Sequence, residues 1–166
     1  FTEDVINLAE KVNIILWDQN KLKQKALEVK RYSEPHITTL PFENISITEI
    51  DNMTDTEFKY YTAELFKRKG YHIKEIINSH NKGIDLIVEK NSLTFGIKTV
   101  KEDIINTDPI KEIITSSLNY HLDNSIVITN KSIAKDAIIL ANACKVILWD
   151  REYLNEQIKK EEDIKI

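Results

Sequence analysis

Two periods alternate along this chain, one helical and one of strand type, and the switches between them mark out its elements. Phe58, Tyr61, Leu65 and Phe66 form an apolar stripe at helical spacing, behind a Thr54-x-x-Glu57 capping box and ahead of Gly70. This predicts a helix from Thr54 to near Gly70. Tyr71 to Asn78 then reads as a partly alternating strand. Ile84 to Glu89 and Leu93 to Thr99 read as a hairpin turning at Asn91 and Ser92, since asparagine tolerates the positive φ of a tight turn. Asp108 and Pro109 open a helix to about Tyr120, with the proline early, where its missing N–H costs little. An apolar strand at Ser125 to Thr129 follows, then a helix, a β-rich run at Lys145 to Trp149, and a last helix opened by Asp150. The predicted order is α-β-β-β-α-β-α-β-α, an α/β class with a hairpin-bearing mixed sheet between helices.

The end of this pattern recurs at the beginning. FTEDVINLAEKVNIILWDQNKL from Phe1 aligns without a gap with IAKDAIILANACKVILWDREYL from Ile133, and Trp17-Asp18 matches Trp149-Asp150. Each copy reads as helix, strand, helix, and only the second has a full set of strands before it. Residues 1–31 are therefore expected to be the C-terminal remnant of a preceding repeat, and the opening Phe1 favours a fragment of a longer protein. Residues 32–53, with Pro35, Pro41 and scattered Ser, Thr and Asn, read as a linker with a short strand at Ile45 to Ile47. Residues 54–166 form the expected main domain.

Composition narrows the function classes. With 166 residues, 42% hydrophobic and 30% charged, the chain can bury one ordinary core. Its net charge of −4 argues against a general nucleic-acid coat protein, which needs cations to displace condensed counterions, but leaves room for local basic contacts. No apolar run approaches the roughly 20 residues of a membrane span and no signal segment opens the chain, so a cytoplasmic location is expected. Cys144 lies in an apolar run and reads as a small buried hydrophobe. His36, His72, His80 and His121 lack ligand-like spacing, and three glycines cannot make a phosphate-cradling loop.

The hairpin carries the candidate chemistry. A turn centred between Asn91 and Ser92 places Asp85 opposite Lys98, with Cβ atoms about 4.5–5.5 Å apart. Such a pair can be a cross-strand ion pair worth about 0.2–1 kcal/mol, or it can serve phosphodiester hydrolysis with the carboxylate on a hard cation. Spacing alone favours the ion pair. Glu89 shares the strand face of Asp85 but lies about 13 Å along it, too far for one metal site.

GYHIKEIINSHNKGIDLIVEKNSLTFGIK, followed by SIVITNKSIAKDAIILANACKVILWDREYL, resembles the Mrr-type restriction endonucleases, a nuclease group built around an aspartate and a following acid-x-Lys motif. The resemblance runs from about Met53 to Leu154 and implies a restriction endonuclease-like fold. It implies a metal-binding and catalytic role for Asp85, a catalytic role for Lys98 and a backbone-carbonyl metal ligand at Ile97. The implied cofactor is Mg²⁺ and the implied partner DNA, with a homodimer or pairing with a preceding homologous domain as further possibilities and no base-contacting residue identified. Two positions depart from the pattern: Gly96 stands where Gln or Glu is expected, and Lys59 stands where the first helix often has an acid. The resemblance thus implies either a Mg²⁺-dependent DNA endonuclease or a decayed nuclease-fold module that binds DNA or protein.

Overall fold

The computed structural model describes residues 45–78 and 83–162, all within the second of two units, Phe42–Ile166. The proposed N-terminal copy with Trp17, the linker up to residue 44, His36 and His80 lie outside the described residues.

Helices α1 (Ile47–Asp51) and α2 (Asp55–Arg68) lead into β1 (His72–Ile76), β2 (Leu86–Lys90), β3 (Leu93–Val100) and the short β4 (Ile104–Ile105). Then come α3 (Asp108–Asn119), β5 (Asn124–Thr129), the short β6 (Ser132–Ile133), α4 (Lys135–Cys144), β7 (Ile147–Trp149) and α5 (Arg151–Glu162). The five longer strands form one mixed sheet in the order β1-β2-β3-β5-β7; β4 and β6 pair separately. The β1–β2–β3 part is antiparallel, whereas β5 and β7 join in parallel through helical crossovers. This is the mixed α/β architecture expected from the sequence.

The sheet is covered on both faces. On one, Phe66 of α2 stacks on Trp149 at 5.0 Å between ring centroids, and Lys69 donates to Gln157 of α5. On the other, Ile110 and Ile113 of α3 and Ala137 and Ala141 of α4 pack with Ile87 and Val127. Phe58, Phe66, Ile97 and Ile113 are wholly buried, each contributing about 1.5–3 kcal/mol through apolar burial.

Two local expectations change. The strand expected at Ile45 to Ile47 is replaced by α1, because Ser46 and Glu49 form a reciprocal capping box and Ile50 is buried. Cys144 is exposed rather than buried. It ends α4, and Lys145 follows in the left-handed conformation at φ 58°, so the chain turns back with the Val146 N–H donating to the Ala141 carbonyl at 2.8 Å. Val146 thereby takes the inward place, as the apolar residue after such a helix stop usually does.

A polar clasp ties α1 to the end of the sheet. Arg151 donates to both carboxylate oxygens of Asp51 at 2.6 and 2.8 Å, and the Asn130 side-chain amide adds a third bond at 2.8 Å. The Lys101 ammonium donates to the carbonyls of Ile50, Asp51 and Met53, satisfying the C-terminal end of α1. The Thr-Asn that follows the buried strand thus has a structural role here, through Asn130.

Candidate active site

Asp85 reaches its position through the glycine before it and the hairpin after it. Gly83 has φ +65°, and a Cβ there would lie 2.7 Å from the Glu112 carbonyl oxygen and 2.4 Å from Ser116 Oγ. Only glycine lets the chain pass this close to α3. Past Asp85, Asn91 and Ser92 both take positive φ, 52° and 64°, the two-residue turn that fits the twist of paired strands. The register runs from Lys90↔Leu93 to Leu86↔Ile97, as the sequence predicts.

At Asp85 the ladder ends. Its N–H donates to the Ile97 carbonyl at 2.8 Å and its own carbonyl accepts from Ile77 N–H at 2.7 Å, so the backbone is fixed from both sides. The carboxylate turns toward Thr99: Oδ2 accepts from the Thr99 N–H at 2.7 Å and from Thr99 Oγ1 at 2.9 Å. Oδ1 faces Lys59 Nζ of α2 at 3.6 Å, an ion pair beyond hydrogen-bond length. Lys59 donates instead to the Ile77 carbonyl at 2.8 Å, and its side chain is only 15% exposed.

Lys98 goes the other way. Its Nζ lies 2.9 Å from Glu112 Oε2 on α3. Alternation puts Ile97 and Thr99 on the α2 face of β3 and Gly96, Lys98 and Val100 on the α3 face. Asp85 departs from the α3-facing parity of Ile87 because it lies before the first residue of β2, where the regular ladder has ended. Asp85 and Lys98 are near in register, but the structure does not bring carboxylate and ammonium into an ion pair with each other. Glu89 bonds to Lys74, which holds its carboxyl below the ordinary glutamate value.

The donor set can be tested against a hard divalent cation. Such ions take about six oxygen ligands, of which the protein normally supplies at least one or two carboxylates. Asp85 offers one carboxylate, with Oδ2 occupied by two donors and Oδ1 facing an ammonium. The Ile97 carbonyl already accepts the Asp85 N–H. Gly96 offers no side-chain oxygen, and a Cβ there would meet Leu122 Cδ1 at 2.8 Å, Ser117 Oγ at 3.1 Å and Ile84 Cδ1 at 3.2 Å. Among the described residues no group of three or more His, Cys, Asp or Glu is placed to hold a metal ion. The described residues around Asp85 and Lys98 do not fit Mg²⁺.

Sequence reasoning paired Asp85 with Lys98 and missed Thr99 and Glu112, the partners that claim them. Neither carried a signal in the sequence: strand parity puts Asp85 on the Lys98 face and Thr99 on the other, and only the break of the ladder before Leu86 lets them meet, while the approach of Glu112 depends on how α3 docks.

No helix among the described residues is long and apolar enough to cross a membrane. No curated protein matches the sequence. Among solved structures, a protein of unknown function, AF1548, superposes with a TM-score of 0.52 at 14% identity over 64% of this chain and 65% of its own. The MspJI restriction endonuclease in complex with a 27-mer oligonucleotide superposes with a TM-score of 0.49 at 13% identity, over 67% of this chain and 30% of that one. The chain thus spans less than two thirds of either neighbour's length. The Mrr catalytic-domain profile, described as restriction endonuclease, matches residues 50–158, which include every described strand and helices α2 to α4. By that match, over most of its length, the chain belongs to the restriction endonuclease family.

Proposed function

We propose that this domain engages DNA as a nuclease-fold module and does not itself hydrolyse the phosphodiester with a divalent cation. Family membership supports the DNA-directed part. The observation that carries the non-cleaving part is the division of Asp85 from Lys98: the carboxylate is held by Thr99 and Lys59, and the ammonium by Glu112. A cation-dependent nuclease needs its carboxylate free for the ion and its lysine beside the same phosphate. Here each group already has a partner on a different helix or strand. The affinity for DNA would come from phosphate contacts, whose mark is a steep fall with added salt.

The test pairs cleavage with binding. Supercoiled plasmid incubated with the protein and Mg²⁺ or Mn²⁺ is expected to stay intact, while a labelled duplex binds with a salt-dependent affinity that Asp85→Ala leaves unchanged. Nicking that requires the cation and disappears in both Asp85→Ala and Lys98→Ala would establish the endonuclease instead. Absence of salt-dependent binding would remove DNA from the proposal.

A further inference from the structure

The Asp85 carboxylate lies in a partly closed position, with its side chain 21% exposed, and a cation stands beside it. That cation is covalent to the chain. Lys59 leaves α2, donates to the Ile77 carbonyl and faces Asp85 Oδ1, so one ammonium bridges a main-chain carbonyl and a carboxylate oxygen. A carbonyl and a carboxylate on one cation is a pairing that hard metal ions also select. We propose that Lys59 is the permanent counter-cation of this site: it fills the position a dication would occupy, and replacing it with a carboxylate converts the position into a divalent-cation site. The inference rests on the non-cleaving reading above, and it identifies the residue that keeps the site closed to metal.

The physical argument is one of charge. Thr99 donates two bonds to Oδ2, but both are from neutral groups, so the negative charge of Asp85 is balanced, among the described residues, by Lys59 alone at ion-pair distance. A mobile dication approaching Oδ1 meets an ammonium held less than 4 Å from it and is repelled. With a glutamate at position 59, two carboxylates would face each other beside the Ile77 carbonyl. That arrangement is unfavourable when empty and favourable around a dication.

The test uses the full chain and thermal unfolding, with no cleavage readout. Wild type is expected to melt at the same temperature in EDTA and in excess Mn²⁺. Lys59→Glu should melt lower in EDTA, by roughly 5 °C, and recover most of that loss in Mn²⁺. In Lys59→Glu with Asp85→Asn, the recovery should vanish. As a control for mere packing, Lys59→Met should lower the melting temperature by a few degrees, and adding Asp85→Asn should restore part of it, because the stranded charge is then gone. A Mn²⁺-dependent rise in wild type that Asp85→Asn abolishes would overturn the proposal, as would a Lys59→Glu protein indifferent to Mn²⁺. These outcomes are read by melting and not by plasmid nicking, so the inference can fail while the non-cleaving reading stands, whereas cation-dependent nicking by the wild type would remove both.

Discussion

Asp51 and Asp85 are two half-buried aspartates in one small domain, and they are satisfied in opposite ways. Asp51 receives a bidentate guanidinium and a carboxamide, all within hydrogen-bond length, from Arg151 and Asn130. Among the described residues, Asp85 receives two neutral donors on one oxygen and a 3.6 Å ion pair on the other. Arginine's planar fork matches both carboxylate oxygens at once, whereas lysine, a point charge on a flexible stem, here gives its good bond to a carbonyl instead. Asp51 is thus built to be immobile, while Asp85 keeps one oxygen whose partner could be exchanged.

The largest effect is expected where the backbone places Asp85. Gly83→Ala forces a side chain into a left-handed position against the Glu112 carbonyl and should cost about 3 kcal/mol or more in chemical denaturation, with no change in the slope. Next, Asp51→Ala leaves Arg151 and Asn130 without their acceptor; because the pair is about one third exposed, the loss should be about 2 kcal/mol rather than that of a buried pair. Gly96→Glu, which supplies the missing acid of the motif, has to push aside Leu122 and should cost about 1–3 kcal/mol without producing nicking. The smallest change belongs to Lys98→Met, since Glu112 is largely exposed: under about 1 kcal/mol, read by the same denaturation.

Acid sharpens the contrast further. Hydrogen bonds from Arg151 hold the Asp51 carboxyl below its ordinary value, while the unfolded chain titrates near the usual aspartate range of about 4. A depressed folded value means that the stabilisation is complete above the unfolded pKa and fades as pH falls toward the folded one. The stability gap between wild type and Asp51→Asn should therefore be constant from neutral pH to about 5 and close below about 4. A gap that persists undiminished well below that range would show that the clasp works by shape rather than charge.

What the sequence reveals is what short-range chemistry decides. The Asn91-Ser92 turn, the Thr54-Glu57 capping box and the Asp108-Pro109 helix start are all local, and each is found where expected. The same capping signature stands at Ser46 and Glu49, where a strand is expected from the sequence. The register expected from the turn holds as far as Leu86 opposite Ile97 and breaks one residue short of Asp85 and Lys98, and the fate of each side chain is decided by helices that approach from different sides of the sheet. Lys59 and Asp85 are 26 residues apart, and Asp51 and Arg151 are 100 apart, and no local pattern encodes either meeting.

The bonds from Lys101 to the end of α1 set where this unit can be cut. A shortened chain starting at Thr54 would keep every strand of the sheet, yet it would strip the ammonium of its three carbonyls, uncover the pocket that Ile50 fills, and leave a guanidinium with its main acceptor gone. Any excised version meant to behave as the intact protein should therefore begin ahead of Ser46, so that the first short helix travels with the sheet it closes.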